Sequence, residues 1–220
     1  MIPISLGYSP CPNDTYIFYG LVHNKIEGAP PFREILEDIE TLNRMALDNR
    51  LDTTKISFHA LAHLRDRYCL LHAGGALGRG CGPLVVARQP LDPADLKNKK
   101  IAIPGKLTTA ALLLRLFNPG LRDLVVLPFH QIMEAAQKGD VDAGLIIHES
   151  RFTYPNYGLH KVIDLGEWWE GATGHPIPLG GILARRDLGH DLIERVDRAL
   201  KTSVEYAHAN PQSVRAYIQK

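Results

Sequence analysis

"KKIAIPGKLTTAALLLRLFNPGLRDLVVLPFHQIMEAAQKGDVDAGLIIHES", residues 99–150, alternates between two hydrophobic periods. "KKIAIPG", "DLVVLPF" and "AGLIIH" are short apolar runs bounded by Pro, Gly or charged residues, and each predicts a buried strand. "TTAALLLRLF" and "HQIMEAAQKGD" repeat their apolar residues at helical spacing. The β-α-β-α-β order predicts an α/β fold with a parallel sheet and helices packed on its faces.

Upstream, "PISLGYSP" reads as a strand that breaks at Pro10 and Pro12, and "NDTYIFYGLVHNKI" as a helix capped by Asn13 or Asp14. A strand around "REILEDI" and a helix over about 40–49 come next. "KIS" then ends a strand and "FHALAHLRD" forms a helix. "CLLHAGGALG" and "GPLVVAR" are two apolar stretches around a glycine-rich turn. Downstream, "HKVIDLGEWW" adds a strand, and the last 30 residues are helical with a break at Pro211. "PLVVAR" (83–88) and "GGILAR" (180–185) echo one another at either end of the β-α-β series. They predict a double hinge: a first lobe of residues 1–88 and 180–220, and a second of 89–179 inserted into it. Two lobes so connected would close on ligand across a cleft, a favoured place for small molecules.

The 220 residues are 45% apolar, a globular composition, and Lys plus Arg (25) nearly balances Asp plus Glu (24). A formal charge of +1 does not advertise a nucleic acid or an anionic membrane as partner, because such binders concentrate positive charge, and neither is expected. "MIPISLGYSP" has neither the basic nor the long apolar region of an export signal, and no apolar run is long enough to cross a bilayer. Cys11, Cys69 and Cys81 are odd in number and far apart, so a reduced, cytoplasmic protein is expected.

Several stretches invite a chemical reading. In "GGALGRGCG" the glycines miss the G-x-G-x-x-G register and a strand follows, so this is a turn and not a dinucleotide loop. "IPGKLTT" is not a Walker A loop, but it sets Thr108 and Thr109 at a helix start directly after a strand. There two hydroxyls and unpaired backbone N–H groups can meet an anion, whether or not Thr108 also caps the helix. "HALAH" spaces His59 and His63 as a helical pair, yet the glutamate of H-E-x-x-H is missing and no third ligand stands out. Packing histidines and no metal site are expected. Ser57, just before them, ends a strand, where a ligand hydroxyl contact fits. In "SPCPNDT" (9–15) two prolines stiffen a turn before Asn13, Asp14 and Thr15 open a helix. This is either a well-capped helix start or a rigid ligand-binding loop. His148, at the end of "GLIIH", reaches the carboxyl edge of a parallel sheet, where ligands bind. It is either a strand end running into solvent or a base or ligand anchor, since an imidazole accepts a proton near neutrality without special tuning.

"SPCPNDTYIFYGL", "KISFHALAHL", "GGALGRGCGPLVVAR", "IAIPGKLTTAALLLRLF" and "AGLIIHESRFTY" together resemble the 1,4-dihydroxy-6-naphthoate synthase family of the futalosine route to menaquinone. The resemblance covers nearly the whole chain. It implies a type II periplasmic-binding-protein-like fold and a cofactor-free lyase that converts cyclic dehypoxanthinyl futalosine, a small-molecule carboxylate, to 1,4-dihydroxy-6-naphthoate. It further implies that His148 is the general base and that Ser57, Thr108 and Thr109 touch the substrate. The "SPCPNDT" loop adds Asn13 and Asp14 to the candidate binding residues. Members generally continue through further C-terminal helical sequence. Chorismate dehydratase of the same pathway shares the fold, and a solute-binding protein without chemistry is the reading from another class.

Overall fold

A computed structural model describes residues 2–218. The chain divides into two compact units, Met1–Ala76 with Gly180–Lys220, and Leu77–Leu179.

The first unit begins with β1 (Ile4–Tyr8), α1 (Pro12–Val22), β2 (Phe32–Leu36), α2 (Ile39–Leu47) and β3 (Thr53–Ser57). These form β-α-β-α-β with β2, β1 and β3 parallel. After α3 (Phe58–Leu61), β4 (Tyr68–Leu70) and β5 (Ala76–Gly78), the chain leaves; it returns along β11 (Ile177–Arg185) and ends in α8 (His190–Ala209) and α9 (Pro211–Ile218). The strand order is β2-β1-β3-β11-β4, with β5 beside β11, and β11 is antiparallel to β3 and β4. The two-residue period of β1 explains how both faces are covered. Ile4, Leu6 and Tyr8 enter a core with Phe18 and Leu21 of α1 and Val196 and Leu200 of α8. On the other face Gly7 is so closely covered that an added Cβ would stand 2.9 Å from Leu42 of α2 and 2.8 Å from Leu51, just beyond that helix.

The second unit contains β6 (Leu84–Ala87), β7 (Lys100–Ile103), α4 (Thr109–Phe117), β8 (Asp123–Val126), α5 (Phe129–Lys138), β9 (Ala143–Ile146), α6 (Ser150–Thr153), β10 (His160–Asp164) and α7 (Leu165–Thr173). Its sheet order is β10-β6-β9-β7-β8. Alternation again splits each strand between two layers. Val85, Ile101, Ile103 and Leu145 pack with α4 and α7, and Leu84, Val86, Ala102 and Ile146 pack with α5. Burying each large aliphatic side chain contributes about 1.5–3 kcal/mol.

Four sequence expectations need correction. The first crossing between units falls at Ala76 and not after Arg88, because β6 hydrogen-bonds to β9 on one side and β10 on the other. "PLVVAR" is therefore a central strand of the second sheet, whereas "GGILAR" pairs with β3 and β4 in the first, and the two are not paired crossovers. The second sheet is mixed: β7, β8 and β9 are parallel, but β6 and β10 run antiparallel. The helix expected over "FHALAHLRD" lasts only from Phe58 to Leu61, since His63 N–H and Leu64 N–H turn to the carbonyls three residues back. His63 thus lies beyond the helix, its ring 5.8 Å from that of His59.

Candidate functional site

β9 stops at Ile146, so His148 does not end the strand; it stands in the turn before α6. Its φ of 54° is in the left-handed region, unusual for any residue with a Cβ and costing roughly 1–2 kcal/mol. The Arg151 N–H reaches the His148 carbonyl at 3.4 Å, and the Phe152 N–H reaches that of Glu149 at 2.9 Å. Phe129 opens α5 just after β8 and sets its ring edge-on to the His148 imidazole, centroids 5.6 Å apart. An exposed imidazole beside an aromatic ring can take a proton from a bound molecule while the ring offers that molecule an apolar face.

The same turn is fastened from behind. Arg151 donates from Nη1 to the Gly82 carbonyl at 2.5 Å and from Nη2 to Asp164 Oδ2 at 2.9 Å. Asp164 is buried and its Oδ1 caps α7, accepting from Gly166 N–H at 2.8 Å and Glu167 N–H at 3.2 Å. Gly82 and Gly166 meet backbone to backbone: a Cβ on Gly82 would stand 2.6 Å from Gly166 Cα. Gly82→Ala should accordingly destabilise the second unit by about 1–3 kcal/mol, the usual cost of overpacking. Urea titration measures it; an unchanged midpoint would show that the backbones part freely.

Thr108 is the N-cap of α4: its Oγ1 accepts from Ala111 N–H at 3.2 Å and donates to the Gly105 carbonyl at 2.9 Å. Thr109 donates to the Leu179 carbonyl at 2.8 Å. Both side chains are buried, so their hydroxyls brace the start of the helix, whose first-turn N–H groups form the positive end of its dipole. Thr108→Val should cost about 0.5–2 kcal/mol through the lost cap. Thermal unfolding checks this, and a variant as stable as the parent would contradict it.

In the first unit, Asp14 is buried with both carboxylate oxygens engaged. Oδ1 takes the Lys55 ammonium at 2.8 Å, and Oδ2 takes the Ser9 hydroxyl at 2.7 Å and the Ser9 N–H at 3.2 Å. Asn13 beside it is exposed. Pro12 occupies the first turn of α1, where its missing N–H is not needed. Ser57 ends β3 and is held by Asn43, which accepts from the Ser57 N–H at 2.9 Å and donates to its hydroxyl at 3.2 Å.

The candidates therefore gather on two sheet edges. Thr108 and Thr109 follow β7, Phe129 follows β8 and His148 follows β9, and these three strands are parallel neighbours. Asn13 and Asp14 follow β1 and Ser57 ends β3, also parallel neighbours. Each set occupies the carboxyl edge of its own sheet, the usual ligand edge of such folds. Trp168 and Trp169 do not join them: both lie on α7 and pack against the second unit's core, with Trp168 edge-on to Phe117 at 5.5 Å. Sequence reasoning missed Phe129, Arg151, Asn43 and Lys55. Only Lys55 carried a signal, a lone cation inside the otherwise uncharged strand "TTKIS".

Solved structures place this architecture in a class. The alkanesulfonate-binding protein of Xanthomonas axonopodis superposes with a TM-score of 0.73 at 17% identity, covering 98% of this chain and 76% of that one. A crystal structure of an Archaeoglobus fulgidus protein gives 0.90 at 40% identity, covering 99% and 81%. The fold is of the type II periplasmic-binding-protein-like kind. Proteins named 1,4-dihydroxy-6-naphthoate synthase from Thermus thermophilus and Streptomyces coelicolor are 54% and 47% identical over 100% and 99% of this chain, which spans 79% and 78% of their lengths. The family model described as menaquinone biosynthesis matches residues 4–220, and the chain belongs to that family.

Proposed function

We propose that this protein is a lyase that converts cyclic dehypoxanthinyl futalosine to 1,4-dihydroxy-6-naphthoate, with His148 as general base. The family membership and the two relatives named for that product support the reaction. The observation that carries the base is the exposed imidazole at φ 54°, held in a braced turn at a sheet's carboxyl edge with an aromatic ring beside it. His148 removes a proton, the sugar-derived fragment leaves, and aromatisation to the naphthalene diol drives the reaction forward. The proton transfers call on no cofactor. The dipole end of α4, shaped by Thr108 and Thr109, meets the substrate carboxylate. In the first unit, Ser57 and Asn13 present polar groups at the carboxyl edge of their own sheet, and Asp14 acts by fixing the loop that carries Asn13.

Membership of a biosynthetic family supports an enzyme that acts on a small molecule in the cytoplasm. No helix among the described residues is long and apolar enough to cross a membrane. A binding protein without chemistry would return its ligand unchanged. Prolonged incubation with the cyclic futalosine compound, followed by mass spectrometry, separates the readings. Consumption with release of the sugar-derived fragment is expected; quantitative recovery of intact ligand would sink the lyase.

A further inference from the structure

His148 sits in a backbone conformation that its own side chain disfavours. α6, which follows, has only four residues, and its N-cap Glu149 makes no side-chain capping hydrogen bond. So short a helix contributes almost no order by itself. One long-range hold on this segment runs through Arg151, three residues on. Its guanidinium spans the Gly82 carbonyl and the Asp164 carboxylate, and both anchors are rigid. Asp164 is locked into the cap of α7, and Gly82 is pressed against Gly166.

We propose that Arg151 is a positioning residue for turnover: its fork, clamped between Gly82 and Asp164, fixes the left-handed turn so that the His148 imidazole meets the substrate in one orientation. The proposal rests on the reading of His148 as the base. An arginine near a site for a carboxylate substrate would ordinarily be read as a substrate clamp. Here the side chain is only 18% exposed and both terminal nitrogens are spent on protein acceptors, so its reach is inward. A planar fork offers a carbonyl and a carboxylate two donor nitrogens at fixed spacing, whereas a lysine ammonium presents its three donors from one nitrogen on a flexible stem. Loss of the clamp would leave the imidazole present but misplaced, and a misplacement of about 1 Å is enough to cost on the order of 10²-fold in rate.

The test uses the full chain in four forms: Arg151→Met, Arg151→Lys, His148→Asn and Arg151→Met with His148→Asn. Arg151→Met should lower kcat on the order of 10²-fold while KM stays within about threefold, the mark of an interaction that matters in the transition state. Added guanidinium ion should restore part of that kcat and none of that lost in His148→Asn. The double variant should be no slower than His148→Asn alone, because the arginine acts through the imidazole. Losses that multiply in the double variant, or a parental kcat in Arg151→Met, would overturn the proposal. Should Arg151→Met fail to fold, Arg151→Lys decides: a reduced kcat at unchanged KM supports the clamp, and a parental kcat overturns it. A His148→Asn protein with near-parental turnover would instead remove the base itself, an outcome distinct from failure of the clamp alone.

Discussion

His148→Asn is expected to fold and bind substrate as the parent chain does, and to turn over roughly 10²–10⁴-fold more slowly, the usual contribution of a positioned acid or base. Asparagine is the right replacement for a backbone reason as well as a chemical one. At φ 54° it is among the few residues with a Cβ that adopt the left-handed region readily, so the turn is preserved while the basic nitrogen is lost. Alanine would confuse the two effects. The parent's rate should also fall as the medium is acidified and the imidazole is protonated, and the variant should lack that limb of the profile. Steady-state rates across pH, with circular dichroism as the control for folding, check both statements. Near-parental turnover would return His148 to an ordinary turn residue.

Lys55→Met should produce the largest stability loss in the first unit, about 3–5 kcal/mol, the cost of leaving one member of a buried ion pair without the other. Side-chain exposure is 6% for Lys55 and 4% for Asp14, so water cannot replace the missing charge. Asp14 would keep only its two bonds from Ser9, and the loop from Ser9 to Asn13 would lose the anchor that ties it to β3. Joint replacement, Lys55→Met with Asp14→Leu, should recover much of that loss, because two apolar side chains leave no stranded charge. Denaturant midpoints for the parent, both single variants and the double variant measure the coupling. Additive losses would show that Lys55 and Asp14 contribute independently.

Part of this structure could be read from local pattern, and part depended on partners distant in the chain. The β-α-β-α-β series over 99–150 was legible because its apolar periods switch sharply between strand and helix spacing, with Pro and Gly marking the breaks. The boundary between units was not. "CLLHAGGALG" and "GPLVVAR" are equally apolar, and pairing with β9 and β10 assigns Leu84–Ala87 to the second sheet. Similarity between 83–88 and 180–185 misled for the same reason: two buried strands look alike whichever sheet they enter. At the candidate site, the strand-end placement of Ser57 and the helix-start placement of Thr108 and Thr109 followed from pattern and capping chemistry. That both threonine hydroxyls turn inward did not, since their acceptors are set by tertiary packing. Nor could sequence show the left-handed backbone at His148, which lies two residues beyond the predicted strand's real end. The pairing of Asp14 with Lys55 spans 41 positions, and that of Arg151 with Gly82 spans 69. No local signal reports contacts of that range.

Chorismate dehydration is the nearest rival to the proposed lyase reaction. Purified protein should be given cyclic dehypoxanthinyl futalosine and chorismate in parallel, with naphthoate absorbance followed in the first reaction and chorismate loss in the second. Steady formation of 1,4-dihydroxy-6-naphthoate from the first substrate and no consumption of the second are expected. Chorismate dehydration without naphthoate formation would contradict the lyase reading.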